Sequence, residues 1–341
     1  MRILITGGAG FIGCHLASAC VKTGHDVTLL DNLSRRGSAA NLAWLRGLYG
    51  SDGFNFVQGD IRDYDAILAA SSGQEAVYHL AAQTAVTTSV ADPRADFEIN
   101  ALGTMNVLEA ARRAGSDPVF IYSSTNKVYG GMEDAQVVEE DTRYVLPDYP
   151  AGVSEARPLD FHSPYGCSKG AADQYVHDYA RIYGLRSVVF RQSCIYGERQ
   201  MGVEDQGWVA WFVIAAVTGK PITIYGNGKQ ARDLLHVDDL VRAFQMANEQ
   251  IDHTAGQVYN LGGGLPNTLS VWAEFEPLLN GLLRRPAIPV RYADWRPGDQ
   301  PVFVSDVSKA KRQFGWSPQV SISEGVARLV GWVKANRELF V

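Results

Sequence analysis

Residues 2 to 13, Arg2-Ile3-Leu4-Ile5-Thr6-Gly7-Gly8-Ala9-Gly10-Phe11-Ile12-Gly13, constrain the fold more than any other stretch of the chain. An apolar run of strand length meets a glycine cluster and is followed by an amphipathic segment, His15 to Thr23, so the order reads strand, tight turn, helix. Gly8, Gly10 and Gly13 fit G-x-G-x-x-G, and Gly7, Gly10 and Gly13 fit the looser G-x-x-G-x-x-G. One glycine makes the turn, a second admits a pyrophosphate to the backbone, and the last lets the helix pack closely on the strand. Free amides at the start of that helix face the anion. A second apolar strand, Asp26-Val27-Thr28-Leu29-Leu30, then ends in Asp31. A carboxylate there can accept both hydroxyls of an adenosine ribose and repels a 2′-phosphate, which favours NAD over NADP. Arg35 and Arg36 pull the other way, because nearby arginines accommodate that phosphate.

The rest of the chain is compatible with such a core. Its 341 residues suffice for a large core or for two domains that share an interface. A net charge of −6, spread over both halves, argues against a nucleic-acid surface. No apolar run approaches the ~20 residues needed to span a bilayer. The first residues lead straight into a strand, so no signal peptide is expected. Cys14, Cys20, Cys167 and Cys194 form no C-x-x-C pair, which points to a reducing cytoplasm and to no metal site.

Strand-like runs near Phe54 to Gln58, Ala76 to Leu80, Val119 to Tyr122 and Arg186 to Arg191 alternate with helical stretches. This predicts an α/β fold with a Rossmann-like doubly wound parallel sheet over residues 1–190. Beyond Arg191 the pattern is less regular and richer in Gly and Pro, so 191–341 reads as a smaller, irregular C-terminal substrate domain, with a segment near 230–250 returning to the sheet. Active sites of doubly wound folds lie at the carboxyl ends of strands. Gly59-Asp60-Ile61 and Leu80-Ala81-Ala82-Gln83 occupy such ends, with Asp60 placed to hydrogen-bond an adenine amino group.

A third strand end, Ser123-Ser124-Thr125-Asn126-Lys127-Val128-Tyr129-Gly130, is tipped with hydroxyls. Some forty residues later, Tyr165 and Lys169 stand one turn apart on a helix predicted over Tyr165 to Tyr183. The spacing has a chemical use. A free phenol, with a pKa of about 10, is a poor base near neutrality. A neighbouring ammonium and a nicotinamide cation favour the phenolate. Tyr165 can then take an alcohol proton as hydride leaves the same carbon, while Thr125 hydrogen-bonds the reacting oxygen.

These motifs resemble the extended short-chain dehydrogenase/reductases, and within them the NAD-dependent nucleotide-sugar epimerases and dehydratases. The resemblance runs through Thr6 to Gly13, Asp31-Asn32, Asp60-Ile61, Leu80 to Gln83, Asn100 with Gly103-Thr104, the Ser-Ser-Thr strand and Tyr165 to Lys169. It continues through Arg191 to Gly197, Arg232-Asp233 with His236 to Asp239, Arg296-Pro297-Gly298-Asp299, and Asp306 to Trp316. It implies a tightly held, recycled NAD contacted by Gly7, Gly10, Phe11, Ile12, Gly13, Asp31, Asn32, Asp60, Ile61, Leu80, Ala81, Ala82, Gln83, Asn100, Tyr165 and Lys169. Thr125, Tyr165 and Lys169 are implied as catalytic, and Arg232 and Arg296 as clamps on a sugar nucleotide's diphosphate, a role that forked guanidinium donors suit. The family also implies a homodimer through Ala101 to Ala114 and Tyr165 to Tyr183, where Ala171, Ala172, Tyr175, Tyr179 and Ile182 form an apolar stripe.

Local departures narrow the reaction. Many 4,6-dehydratases carry an Asp-Glu pair after the threonine, whereas Asn126 and Lys127 stand here and cannot replace that acid and base. The 4-epimerases usually carry Tyr-Phe-Asn after the arginine that ends the sixth strand, whereas this chain has Gln192-Ser193-Cys194. The combination resembles most the CDP-paratose 2-epimerases, also called CDP-tyvelose 2-epimerases. It implies inversion at C2 of a CDP-linked deoxyhexose, with Thr125, Asn126, Lys127, Cys194, Gln206, Tyr225, Arg232 and Arg296 around the substrate. Trp208 and Trp211, three apart, read as core more readily than as pocket. A C4 epimerase of a UDP- or GDP-hexose is the alternative. A non-catalytic NAD-binding scaffold or sensor is the competing class, and the complete Thr125, Tyr165 and Lys169 set argues against it.

Overall fold

The first strand, β1 (Arg2–Thr6), is buried on both faces beyond Arg2, which explains why its sequence is a continuous apolar run and not an alternating one. The computed structural model describes residues 1–296 and 299–340; Pro297 and Gly298 of the Arg296 to Asp299 motif lie outside the described residues. β1 is flanked by β2 (Asp26–Asp31) and β4 (Ala76–His79). β3 (Asn55–Gln58) pairs with β2, while β5 (Val119–Thr125) and β6 (Ser187–Gln192) extend the other side. After β7 (Cys194–Tyr196) and β8 (Ala231–His236), which pair with each other, β9 (Gln257–Leu261) closes the sheet against β6. The seven sheet strands are all parallel, in the order β9-β6-β5-β4-β1-β2-β3. The order reverses between β1 and β4, where doubly wound sheets open a crevice for a ligand.

Helices cover both faces. On one face α1 (Phe11–Lys22) and α2 (Ser38–Tyr49) pack with Leu240 and Phe244, against Ile3, Ile5, Val27 and Leu29. On the other, α3 (Tyr64–Ser71), α4 (Gly103–Arg113) and α5 (Ser163–Tyr183) cover Leu4, Val77, Phe120 and Val189. Helix α1 begins at Phe11, four residues before the amphipathic segment at His15, because Gly10 in extended backbone starts it directly from the turn. The helix expected from Ala101 begins as a π-turn, Glu98–Leu102, before α4. Such turns are often found at functional sites.

The chain beyond 191 builds a second core of its own. Helix α6 (Trp208–Thr218) buries eight residues and so is apolar nearly all round, as a fully enclosed helix must be. It packs with Phe275, Leu279, Val326, Leu329 and Val333. The chain rejoins the first core through α7 (Val237–Glu249), through β9, and through Phe314 and Trp316. The return is therefore wider than 230–250, because the outermost sheet strand and its covering side chains come from farther along the chain. The stripe on α5 divides: Ala172 and Tyr179 are buried against the sheet, Tyr175 and Ile182 are exposed, and the Tyr179 hydroxyl donates to Glu109. No described helix is long and apolar enough to cross a membrane.

Candidate functional site

The glycines after β1 are required by close packing. Gly7 adopts φ +70°, and a Cβ there would come within 2.8 Å of the Ala81 backbone nitrogen. A Cβ on Gly13 would lie 2.1 Å from the Gly7 carbonyl oxygen. The turn after β1 and the small residues after β4 are thus built against each other. Together they line one wall of a cleft of about 370 Å³ formed by Gly7, Gly10, Phe11, Ile12, Gly13, Asp31, Asn32, Asp60, Ile61, Leu80, Ala81, Ala82 and Gln83. Asp31 accepts the amide hydrogens of Ala9 at 3.0 Å and Leu33 at 2.8 Å, which orients its carboxylate at the end of β2. Asp60 is held by Arg62 in a two-pronged pair and by Asn32, and the Arg62 hydrogen bonds keep its carboxyl well below the usual range.

Asn100 does not line this cleft. It is buried beneath it, bonding the backbone of Gln83 in both directions, at 2.9 and 3.0 Å. Asp96 accepts from Gln83, Asn100 and Ser168, and Ser168 lies on α5 between Tyr165 and Lys169. Asn100 and Asp96 therefore lock the loop after β4 to the catalytic helix. No sequence spacing points to Asp96, whose role depends on three segments meeting.

A second cavity, of about 420 Å³, adjoins the first and shares Phe11, Ile12, Leu80, Ala82, Thr84, Gln200 and Gln206 with it. It brings together Thr125, Asn126, Lys127, Tyr165, Lys169, Cys194, Gln206, Tyr225, Arg232 and Arg296. Trp208 lines this cavity as well, while Trp211 packs against the second core. Thr125 sits at the end of β5, and its side chain accepts the Lys127 amide hydrogen at 3.2 Å. Lys169 donates to the Ser123 carbonyl at 2.7 Å, with its ammonium 4.3 Å from the centre of the Tyr122 ring.

Burial pushes the Tyr165 phenol up to about 12, against the downward pull of its hydrogen bond to Thr125. Burial also draws Lys169 down to about 7. Burial thus works against the phenolate that the Lys169 ammonium is expected to favour. The ammonium is turned toward Ser123, and a desolvated site disfavours both charged forms.

The two arginines are held by neighbouring acids. Arg232 pairs with Asp299 at 3.0 Å, not with Asp233, whose buried carboxylate accepts from Ser193, Gly264 and Ser305. Arg296 pairs with Asp205 at 3.1 Å and lies over the Tyr225 ring, 3.8 Å from its centre. Cys194 is held as a neutral thiol by burial.

Segment 199–206, of which the sequence singled out Gln206 for the substrate, roofs the first cleft. Arg199 lies 4.0 Å from the Trp44 ring centre, and Met201 rests on Gly37, where a Cβ would collide with its side chain. The Arg35 guanidinium donates to Gln206 across the opening. Arg35 is thereby engaged in a bridge between the two sides of the cleft.

The cleft suits a dinucleotide on its own features. The glycine turn brings bare backbone to the wall of the cleft, and the buried Thr84 hydroxyl and Gln200 side-chain oxygen, both on that wall, have no partner among the described residues. Buried polar atoms of that kind call for a ligand.

Comparison with known proteins agrees with this geometry. Residues 3–262 match the NAD dependent epimerase/dehydratase family. The chain is 46% identical to a CDP-paratose 2-epimerase of Salmonella typhi, over 98% of this chain and 100% of that protein. It is 36% identical to a UDP-glucose 4-epimerase of Mycolicibacterium smegmatis, over 97% of each. Among solved structures, UDP-glucose 4-epimerase from Thermotoga maritima with UDP-glucose superposes with a TM-score of 0.84 at 32% identity, covering 99% of this chain and 100% of that one. A dTDP-glucose 4,6-dehydratase from Streptomyces venezuelae, solved with NAD, gives 0.85 at 31% identity, covering 100% of this chain and 99% of that one. With a glycine turn and a strand-end carboxylate in one cleft and a tyrosine–lysine helix in the cavity that adjoins it, the chain belongs to the NAD dependent epimerase/dehydratase family, and its cofactor is NAD.

Proposed function

We propose that this protein inverts C2 of a CDP-linked deoxyhexose through a transient 2-keto sugar. The observation that carries the reading is the placement of Asn126 and Lys127 in the cavity wall beside Thr125 and Tyr165. An amide and an ammonium at those positions offer no acid–base pair for eliminating water, so oxidation is followed by return of the hydrogen. The identity to the CDP-paratose 2-epimerase of Salmonella typhi supports both the base and the carbon.

NAD, when bound, supplies a hydride acceptor and donor whose cationic ring also favours the phenolate. Asp31 and the amides after β1 hold it in place. Tyr165 removes the proton of the reacting hydroxyl and later returns it, while Thr125 hydrogen-bonds the same oxygen. Arg232 and Arg296 keep the nucleotide diphosphate anchored while the sugar turns over, exchanging Asp299 and Asp205 for phosphate oxygens. The 199–206 roof excludes water and retains the cofactor. The reading includes a homodimer through the face where Phe97, Leu102, Tyr175 and Ile182 are exposed.

Incubation of the NAD-loaded protein with CDP-, UDP- and GDP-sugars, followed by NMR, tests the reading. A C2 epimer from a CDP-deoxyhexose is expected. A C4 epimer from a UDP- or GDP-hexose overturns it in favour of the alternative chemistry, and no turnover on any sugar with NAD retained favours a binding protein.

A further inference from the structure

The substrate cavity carries more positive charge than its own acids balance. Lys127 and Arg232 both line it, and the nearby Asp299 is committed to Arg232. Among the described residues no carboxylate lies within ion-pair distance of Lys127, whose ammonium donates to the neutral side-chain oxygen of Gln300 at 3.2 Å. Gln300 is itself buried and fixed by donating to the Gly130 carbonyl. An ammonium taken from water and given one neutral acceptor is costly, and burial draws Lys127 down to about 8. A cavity that tolerates this arrangement is suited to an anion.

The position of that cation is informative. Lys127 follows Thr125 by two residues in the short turn Asn126–Tyr129, and its amide is tied to the Thr125 hydroxyl. Its backbone is therefore fixed beside Thr125, and its side chain lines the same cavity. We propose, on the nucleotide-sugar reading above, that Lys127 binds the phosphoryl group attached to the sugar and so presents C2, not C4, to Thr125 and Tyr165. In a pyranose linked through C1, C2 is one bond from the carbon that bears the phosphate, whereas C4 lies across the ring. A cation so near Thr125 engages the sugar-linked phosphate when the reacting carbon is at that end. A lysine also suits the turnover step, because a point charge on a flexible stem follows a moving phosphate more readily than a rigid guanidinium fork.

The test compares NAD-loaded wild type with Lys127→Met, Lys127→Gln and Lys127→Arg, titrated calorimetrically with CDP and CMP and, in parallel, with UDP and UMP. Retained NAD and an unchanged melting temperature identify the folded variants. Wild type is expected to favour the diphosphate over the monophosphate. The two neutral variants are expected to lose roughly tenfold or more in diphosphate affinity, with the monophosphate changed by less than about twofold. Arginine should keep most of the gap. An unchanged gap in both neutral variants overturns the proposal, as does an equal loss for both nucleotides, the signature of a merely structural lysine. A C4 epimer from the wild type overturns its positional part. Failure of the wild type to bind any of the four nucleotides is a different result: it removes the nucleotide-sugar reading itself, and this proposal with it.

Discussion

Tyr165 and His79 show how differently two buried titratable groups are used. Tyr165 lines the cavity, and its hydroxyl is the base in the proposed chemistry. Tyr165→Phe is expected to lower turnover by about 10²–10⁴-fold while leaving calorimetric affinity for the nucleotide sugar nearly unchanged. His79 faces no ligand. Its ring lies between the hydroxyls of Thr6, at 2.7 Å, and Thr104, at 2.9 Å, and burial holds it neutral, with its pKa drawn from 6.5 to about 3. The unfolded chain therefore binds the extra proton between those values. The stabilising contribution of a neutral His79 is complete above about pH 6.5 and is lost as pH falls toward about 3. Urea unfolding at pH 7.5 and pH 5 should show a smaller acid-induced loss in His79→Asn than in wild type.

Helix α5 carries Tyr165 and Lys169, the proposed catalytic pair, and its placement depends on one buried ion pair as much as on its apolar face. Asp173 accepts two hydrogen bonds from Arg191, at 2.9 and 2.8 Å, and a third from Ser124 at 2.7 Å. This joins α5 to the ends of β5 and β6, next to Thr125. Arg191 also donates to the Tyr129 hydroxyl. Arg191→Met would leave a fully buried carboxylate without its cation, and the stability measured by denaturant unfolding is expected to fall by about 3–5 kcal/mol. The helix itself was legible from the sequence, which predicts it over Tyr165 to Tyr183, and in the structure Gly184 in the left-handed conformation ends it. The buried pair was not. Asp173 and Arg191 lie on different elements, and their contact follows from the packing of α5 on β6.

For the molecule as a whole, the two cavities form one continuous site because the chain crosses between cores. Segment 199–206 leaves the first core after β7, roofs the dinucleotide cleft and leads into α6 of the second core. The Arg35–Gln206 hydrogen bond ties that roof to the loop after β2. A cycle that returns its hydrogen gains from keeping its cofactor, and this bridge is placed to do so. Arg35→Ala and Gln206→Ala are each expected to release NAD roughly fivefold faster, the loss of about one hydrogen bond, measured as cofactor retained after gel filtration.

The sequence by itself determined the strand–helix alternation of a doubly wound sheet, the dinucleotide turn, the acid at the end of β2 and the one-turn spacing of Tyr165 and Lys169. Each of these is a short-range relation, fixed by strand and helix periodicity or by the steric demands of a glycine turn over a few residues. Only the tertiary structure decided that Asn100 supports the cleft from beneath, that Asp299 is the partner of Arg232, and that Lys127 has no acid of its own among the described residues. It also decided the burial that pushes the Tyr165 phenol up. Charge balance and desolvation are properties of a volume, and the segments that enclose this one lie far apart along the chain.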